Sequence, residues 1–311
     1  MTLAFVFPGQ GSQSVGMLNA LADAHPIVKE TFAEASVALG YDLWTIVANG
    51  PEDKLNQTEI TQPAMLTAGI AVWRVWQAGG GMPPVVMAGH SLGEYTALCA
   101  ASAIEFKDAV RLVADRGRFM QEAVPAGQGG MAAIIGLDDV QVQTLCTQAA
   151  QGEVLSPVNF NSPGQVVIAG NAAAVARAVE QAKGAGAKLA KLLPVSVPSH
   201  CALMHPAAER MRARLLQMKI ETPRIPVLHN AQVRAEKDAD AIRAALVSQV
   251  ESPVRWVEIV QTMAADGVDK LIECGPGRVL TGLNKRINKQ TQTLPVYDPE
   301  TMQLARTALG I

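Results

Sequence analysis

The residues best suited to do chemistry form the short run GHSLG at residues 89–93. Apolar residues 85–88 predict a strand before this run, and residues 92–101 predict a helix after it. This order of strand, turn and helix is what a nucleophile elbow requires, because glycines on both sides permit the sharp turn that lifts a serine above the sheet. Free N–H groups at the helix start would stabilise an oxyanion at the same point. We therefore predict that Ser91 is a nucleophile, the alternative being a serine in an ordinary glycine-rich turn.

A nucleophilic serine needs a base, and the chain has five histidines. His200 is the best candidate, because it follows an apolar segment stiffened by Pro194 and Pro198 and a base must be held closely in place. His25 is predicted at a helix start, and His90 is predicted inside the elbow with its ring turned away from the serine. His205 is predicted one turn into a helix over residues 201–218, and His229 is predicted after a strand. The neighbouring Cys201 is a conceivable thiol nucleophile, but nothing in the sequence activates it, and we expect it to pack.

A histidine base also needs a partner on its other ring nitrogen. Four aspartates lie between Ser91 and His200 in the chain: Asp108, Asp115, Asp138 and Asp139. None follows a predicted strand, as an α/β-hydrolase triad would require, since two fall in a helix and two at a helix cap. The sequence therefore favours a Ser–His dyad whose histidine is oriented by a carbonyl group.

The elements that must position these residues alternate between short buried strands and amphipathic helices. Such alternation is typical of an α/β fold with a mostly parallel sheet. Residues 126–195 depart from it and follow the order β-α-β-β-α-β of the ferredoxin-like unit. We predict a small ferredoxin-like domain at residues 126–195, inserted into a large α/β-hydrolase-like catalytic domain made of residues 1–125 and 196–311.

The composition excludes several other classes of protein. The 311 residues are 49% hydrophobic, enough for a sizeable core, and a net charge of −2 gives no reason to expect nucleic acid as a partner. The four cysteines form no CxxC pair and no His/Cys cluster at metal spacing, so we expect reduced thiols and no metal. The sequence has no signal-peptide pattern and no apolar run of about 18 residues, so we expect a cytoplasmic protein without a membrane partner.

Five segments in a set order extend the elbow into a longer pattern. They are FPGQGSQ at residues 7–13, GHSLGE at 89–94, RG at 116–117, PVSVPSH at 194–200 and ECGPG at 273–277. Together they span essentially the whole chain and closely resemble the malonyl-CoA–acyl carrier protein transacylases of bacterial fatty acid synthesis. The acyltransferase domains of polyketide and animal fatty acid synthases are more distant relatives. One local departure is Cys274, where an apolar residue is expected.

The resemblance implies a role for each matching residue. Ser91 would be acylated, and His200 would be its general base. Backbone N–H groups at Gln10 and Leu92 would form the oxyanion hole. The carbonyl of Gln249 would hold the histidine ring.

The resemblance also implies that Arg116 binds the free carboxylate of malonate. A malonyl group differs from an acetyl group by this carboxylate, which a planar guanidinium grips with two charge-assisted hydrogen bonds. The alternative is a surface arginine on an amphipathic helix. Gly117 would allow the helix to approach its neighbour closely.

The implied partners are malonyl-CoA and the phosphopantetheine thiol of an acyl carrier protein, with no metal or redox cofactor and with a monomeric enzyme. Asn159 and Asn161 would flank the cleft between the domains. Three other functions stay open: a serine thioesterase or esterase of the α/β-hydrolase type, a non-catalytic docking module, and the acyltransferase of a polyketide or malonate decarboxylase system.

Overall fold

A computed structural model describes residues 2–195 and 197–311 of the chain. The strands are β1 (Leu3–Phe7), β2 (Val86–Gly89), β3 (Gly129–Ile135), β4 (Leu155–Ser162), β5 (Gln165–Asn171), β6 (Leu189–Leu192), β7 (Val227–Leu228), β8 (Lys270–Cys274) and β9 (Gln292–Val296). The helices are α1 (Asn19–Ala24), α2 (Ile27–Leu39), α3 (Leu43–Asn49), α4 (Glu52–Leu55), α5 (Thr58–Ala78), α6 (Leu92–Ala100), α7 (Phe106–Ala123), α8 (Asp139–Ala150), α9 (Ala172–Ala182), α10 (His205–Leu216), α11 (Ala239–Glu251), α12 (Trp256–Ala265), α13 (Val279–Ile287) and α14 (Pro299–Leu309). No helix in these two stretches is both long and apolar enough to cross a membrane.

A parallel sheet of five strands carries the loops of the candidate site. Its order is β7-β2-β1-β8-β9, and every neighbouring pair is parallel. Side chains of β1 alternate between two cores: Phe5 and Phe7 pack on one face, and Ala4 and Val6 pack on the other. Helices therefore cover both faces, and the predicted α/β class with a parallel sheet is confirmed. The carboxyl ends of parallel strands share one edge, which brings the loops after β1, β2, β7 and β8 together.

A second, antiparallel sheet has the order β4-β5-β3-β6. Its elements follow one another as β3, α8, β4, β5, α9 and β6, which is the order read from the sequence. This part has a core of its own, which includes Ile134, Leu145 and Ile168. Val254 joins it to the rest of the molecule, accepting a backbone hydrogen bond from Phe160 at 3.0 Å and donating one to Val158 at 2.8 Å. Ser196, the predicted start of the second large-domain segment, lies outside the described residues.

The helix predicted over residues 201–218 is shorter and in two pieces. A 3₁₀ turn at Ala202–Met204 precedes α10, which begins at His205 with Pro206 in its first turn. Proline cannot donate a backbone hydrogen bond to the preceding turn, so the α-helix starts at this point instead of continuing from residue 201. His205 is consequently the first residue of the helix and does not lie one turn inside it.

Candidate active site

The elbow is built from close backbone contacts around Ser91. This residue lies between the end of β2 and the start of α6, with φ 51° and ψ −110°. A Cβ atom at Gly89 would lie 1.8 Å from the carbonyl carbon of Gly93, and one at Gly93 would lie 2.1 Å from the carbonyl oxygen of Phe7. Neither position has room for a side chain, so both glycines are required by packing as well as by the turn.

Replacing Gly93 with alanine is expected to lower the free energy of unfolding by about 3 kcal/mol, because the new methyl group must displace the backbone of β1. Gly282→Ala is the matched control, since Gly282 lies inside α13 with open space around its Cβ position. There we expect no loss, because alanine favours the helix by up to about 1 kcal/mol. Urea unfolding of the two variants measures the difference. Equal stability of the two variants would show that the elbow tolerates a side chain.

The structure places the predicted nucleophile and base in direct contact. Ser91 Oγ lies 2.7 Å from His200 Nε2, and His200 Nδ1 lies 2.8 Å from the backbone carbonyl oxygen of Gln249. A carbonyl oxygen only accepts, so the ring carries its hydrogen on Nδ1 and offers Nε2 as the acceptor for the serine hydroxyl. The side chain of His200 is 3% exposed, which holds the ring in this orientation. This geometry is suited to a Ser–His dyad with a carbonyl as the third group.

Burial, and after it the positive charge of Arg116, lower the pKa of His200 to about 3. Since the base must be neutral, Ser91 acylation should stay constant as the pH falls from about 8 to about 5. An ordinary exposed histidine would instead be protonated near pH 6.5 and lose most of its activity in that interval. Single-turnover acylation rates across this range test the prediction. A fall in rate centred near pH 6.5 would contradict it.

The guanidinium of Arg116 is buried beside the dyad. The residue is 1% exposed and belongs to α7. Its Nη1 donates to Gln62 Oε1 at 2.8 Å, and its Nη2 donates to Gln249 Oε1 at 3.0 Å and to Ser91 Oγ at 3.3 Å. The group also lies 5.2 Å from the ring centre of Tyr95. All three oxygen partners are neutral, and Nε has no hydrogen-bond partner among the described residues, so the positive charge remains available to bind an anionic ligand.

Gly117 explains how this arginine reaches the elbow. A Cβ atom there would lie 2.7 Å from Thr58 O and from the Cα atom of Glu59. The missing side chain lets α7 pack closely against the start of α5, as the sequence suggested for this glycine.

The two predicted oxyanion-hole residues lie in the same cleft as the dyad. Leu92 is the first residue of α6, so its N–H has no acceptor within the helix. Gln10 lies in the loop after β1, where Gly9 packs so closely that a Cβ would be 2.5 Å from the carbonyl oxygen of His90. The cleft holds about 190 Å³ and is also lined by Asn159 of the antiparallel sheet.

The other candidate residues have different partners. His90 Nε2 lies 2.8 Å from Asn161 Oδ1, and its ring packs near Trp256. His205 Nδ1 lies 2.9 Å from Glu251 Oε2. Burial raises the pKa of Cys201 to about 11, which disfavours a reactive thiolate.

Three of the four aspartates between Ser91 and His200 in the chain have other partners, and the first of them, Asp108, pairs with Arg111. Asp115 pairs with Arg118 and Arg214, and Asp138 caps α8. Across residues 2–195 and 197–311, no group of three or more His, Cys, Asp and Glu is arranged to hold a metal ion.

Sequence reasoning missed a buried polar cluster beneath the serine, which includes Glu94 and Asn230. Asn230 Oδ1 accepts from the N–H of Ser91 at 2.7 Å, and Glu94 Oε2 accepts from the N–H of Asn230 at 2.8 Å. One signal was present: His229 and Asn230 follow β7, and a polar pair after a strand of a parallel sheet lies at the edge that carries the site.

An elbow serine hydrogen-bonded to a histidine at the end of a parallel sheet defines the class of serine enzymes that act on acyl groups. The chain belongs to the acyl transferase family, because the model of the acyl transferase domain matches residues 4–308. It is 59% identical over 304 residues to the malonyl CoA-acyl carrier protein transacylase of Salmonella typhimurium, with 98% of each chain covered.

Two solved structures are similar over nearly their whole length. The malonyl CoA-acyl carrier protein transacylase of Coxiella burnetii is 51% identical with a TM-score of 0.98, covering 99% of this chain and 98% of that one. A malonyl-transacylase in complex with its type II PKS acyl-carrier protein is 55% identical with a TM-score of 0.98, covering 99% and 100%. The family resemblance predicted from the five sequence segments is confirmed.

Proposed function

We propose that this protein transfers the malonyl group of malonyl-CoA to the phosphopantetheine thiol of an acyl carrier protein through a malonyl ester of Ser91. The observation that carries the proposal is the buried guanidinium of Arg116, 3.3 Å from the serine hydroxyl that would bear the acyl group. The names of the similar proteins support the same substrate pair.

In the first half-reaction, Ser91 Oγ attacks the thioester carbonyl while His200 Nε2 takes its proton. The negative charge that develops on the carbonyl oxygen is stabilised by the N–H groups of Leu92 and Gln10. The C–S bond then breaks, and the proton on His200 passes to the sulfur of coenzyme A. The backbone carbonyl of Gln249 stabilises the ring while it is charged.

The second half-reaction uses the same groups in reverse. His200 takes the proton of the phosphopantetheine thiol, whose sulfur attacks the malonyl ester. The tetrahedral intermediate collapses, the bond to Ser91 Oγ breaks, and the serine recovers its proton from His200. No step needs a metal or redox cofactor, so we propose that none takes part.

Arg116 would select the acyl group. When the acyl carbonyl is bonded to Ser91 Oγ, the free carboxylate of malonate lies within a few bonds of that atom, in reach of the guanidinium. Two hydrogen bonds from a desolvated cation would fix the acyl chain and raise its population in the reactive geometry.

A second candidate concerns the acceptor alone. One of the similar structures pairs a malonyl-transacylase with a type II PKS acyl-carrier protein, so a polyketide carrier protein is a reasonable acceptor for the same chemistry. Comparing transfer rates to carrier proteins of fatty acid and polyketide synthesis separates the two pathways.

The decisive experiment is intact-mass analysis of the protein after incubation with malonyl-CoA. We expect a mass gain of one malonyl group, located on Ser91 by peptide mapping, that disappears when holo acyl carrier protein is added and reappears on the carrier. Free malonate as the sole product would instead indicate a thioesterase. No adduct and no turnover would indicate a non-catalytic docking module.

We also infer the domain organisation and setting of the enzyme. The separate core and the β-α-β-β-α-β order support a ferredoxin-like domain at residues 126–195, inserted into an α/β-hydrolase-like domain. A single chain supplies every group that the mechanism uses, which supports a monomer. We propose that it acts in the cytoplasm, where reduced thiols such as its four free cysteines persist.

A further inference from the structure

Four polar side chains that take no part in the proton transfers lie beneath the elbow. They are fully buried and come from three segments of the chain: Glu94, His229, Asn230 and Gln249. The carboxylate of Glu94 is at their centre. It accepts from His229 Nδ1 at 2.7 Å, from the N–H of Asn230 at 2.8 Å and from Gln249 Nε2 at 3.0 Å. A buried carboxylate is tolerated when donors surround it in this way.

The cluster holds the peptide groups of the elbow from both sides. Asn230 Oδ1 accepts from the N–H of Ser91 at 2.7 Å, and Asn230 Nδ2 donates to the carbonyl oxygen of Gly89 at 2.7 Å. Gln249 Nε2 donates to the carbonyl oxygen of Ser91 at 2.8 Å. An unfavourable backbone conformation such as that of Ser91 persists only where its surroundings hold it.

The cluster also sets the direction in which the amide of Gln249 points. Its Nε2 faces two acceptors, Glu94 and the carbonyl oxygen of Ser91, while its Oε1 accepts from Arg116 at 3.0 Å. A carboxylate cannot donate, and a guanidinium cannot accept. A flipped amide would place its oxygen against the oxygens of Glu94 and Ser91 and its NH₂ group against a cation, so Glu94, the Ser91 carbonyl and Arg116 together permit one orientation.

We propose that Glu94 is a positioning residue for acyl-group selection. Its carboxylate anchors the NH₂ group of Gln249 with a charge-assisted hydrogen bond, and the amide oxygen of Gln249 in turn holds the guanidinium of Arg116 beside Ser91. Glu94 thus acts on the acyl group through two other side chains. This inference rests on the proposed role of Arg116 in binding malonate.

Glu94→Gln tests the proposal with almost no change of shape. Glutamine offers one acceptor oxygen and one NH₂ group, so it cannot accept all three hydrogen bonds, and a neutral amide holds the NH₂ group of Gln249 less strongly than a carboxylate does. We expect the ratio of Ser91 acylation rates for malonyl-CoA over acetyl-CoA to fall by about 10-fold or more, as displaced catalytic groups commonly cause. Acylation rates are normalised to the fraction of protein that can be acylated.

Glu273→Gln is the matched control. Glu273 is also fully buried, but it belongs to β8 and accepts its hydrogen bonds from Leu280 and Thr281 of α13. We expect it to lower the melting temperature without changing the acyl-group ratio. If Glu94→Gln also lowers stability and leaves the ratio unchanged, Glu94 is a structural residue only and the proposal is wrong.

Gln249→Met keeps the test usable if Glu94→Gln does not fold. It removes the amide but keeps the backbone carbonyl that contacts His200. We expect the same fall in the ratio, and we expect no further fall in the double variant, because Glu94 acts through Gln249. An unchanged ratio in Gln249→Met overturns the inference. Absence of a malonyl adduct on the wild-type protein would overturn the proposed function instead, so the two failures are distinguishable.

Discussion

Replacing Ser91 with alanine is expected to abolish the malonyl adduct and to lower transfer by about 10⁵-fold or more, the scale seen when a nucleophile is removed. We expect no other hydroxyl to take over, because His200 Nε2 contacts the Oγ of Ser91. Intact-mass analysis with malonyl-CoA and a carrier-protein transfer assay give the two readouts.

The fold should survive this change. The backbone of Ser91 is held by Asn230 and Gln249, whose hydrogen bonds do not involve the removed hydroxyl. Ser102→Ala is the matched control, since Ser102 has a positive φ of 62° and is exposed just beyond the other end of α6. It should retain full labelling. Residual turnover of Ser91→Ala above background, with an adduct on another residue, would mean that Ser91 is not the nucleophile.

The elbow was predictable because its requirements are local. All of them lie within residues 85–101: a buried strand, a serine with one glycine two residues before it and another two residues after it, and a following helix. The close contacts of Gly89 and Gly93 are the packing counterpart of the turn that the sequence implied.

Elements that depend on distant partners were harder to read. The strand predicted before His229 is present as β7, but only its two residues that pair with Met87 and Ala88 of β2 form the strand. Strand β9 contains Pro295, which lowers its strand propensity, and it forms as an edge strand along β8. Neither β9 nor the helix α14 that follows it was predicted.

The polar cluster beneath the serine shows the same limit within the site. Glu94 and His229 are 135 residues apart in the chain, and their contact follows from the placement of β7 beside β2. Arg116 looked like a common amphipathic-helix arginine until packing placed Gly117 against α5. The resemblance to a known family predicted a binding role for Arg116 that the local sequence pattern alone did not indicate. Family motifs can do this because they mark residues that packing brings together.

Replacing Arg116 with alanine is expected to cost about 3–5 kcal/mol of transition-state stabilisation for malonyl-CoA, because the substrate carboxylate would be buried without a charged partner. This corresponds to a loss of about 10²- to 10⁴-fold in kcat/KM. Acetyl-CoA has no free carboxylate that would lose a charged partner, so its kcat/KM should fall far less. Arg116→Lys should restore only part of the preference, since an ammonium group cannot reproduce the two parallel hydrogen bonds of a guanidinium.

Arg118→Ala provides the matched control for this experiment. Arg118 lies two residues further along α7, is half exposed and pairs with Asp115 at the surface, so its loss should leave both substrates unaffected. Because Arg116 also hydrogen-bonds Ser91 Oγ and lowers the pKa of His200, a general electrostatic role would reduce malonyl and acetyl transfer alike. Equal losses for the two substrates would therefore remove Arg116 from acyl recognition, whereas a loss confined to malonyl would place the substrate carboxylate at its guanidinium.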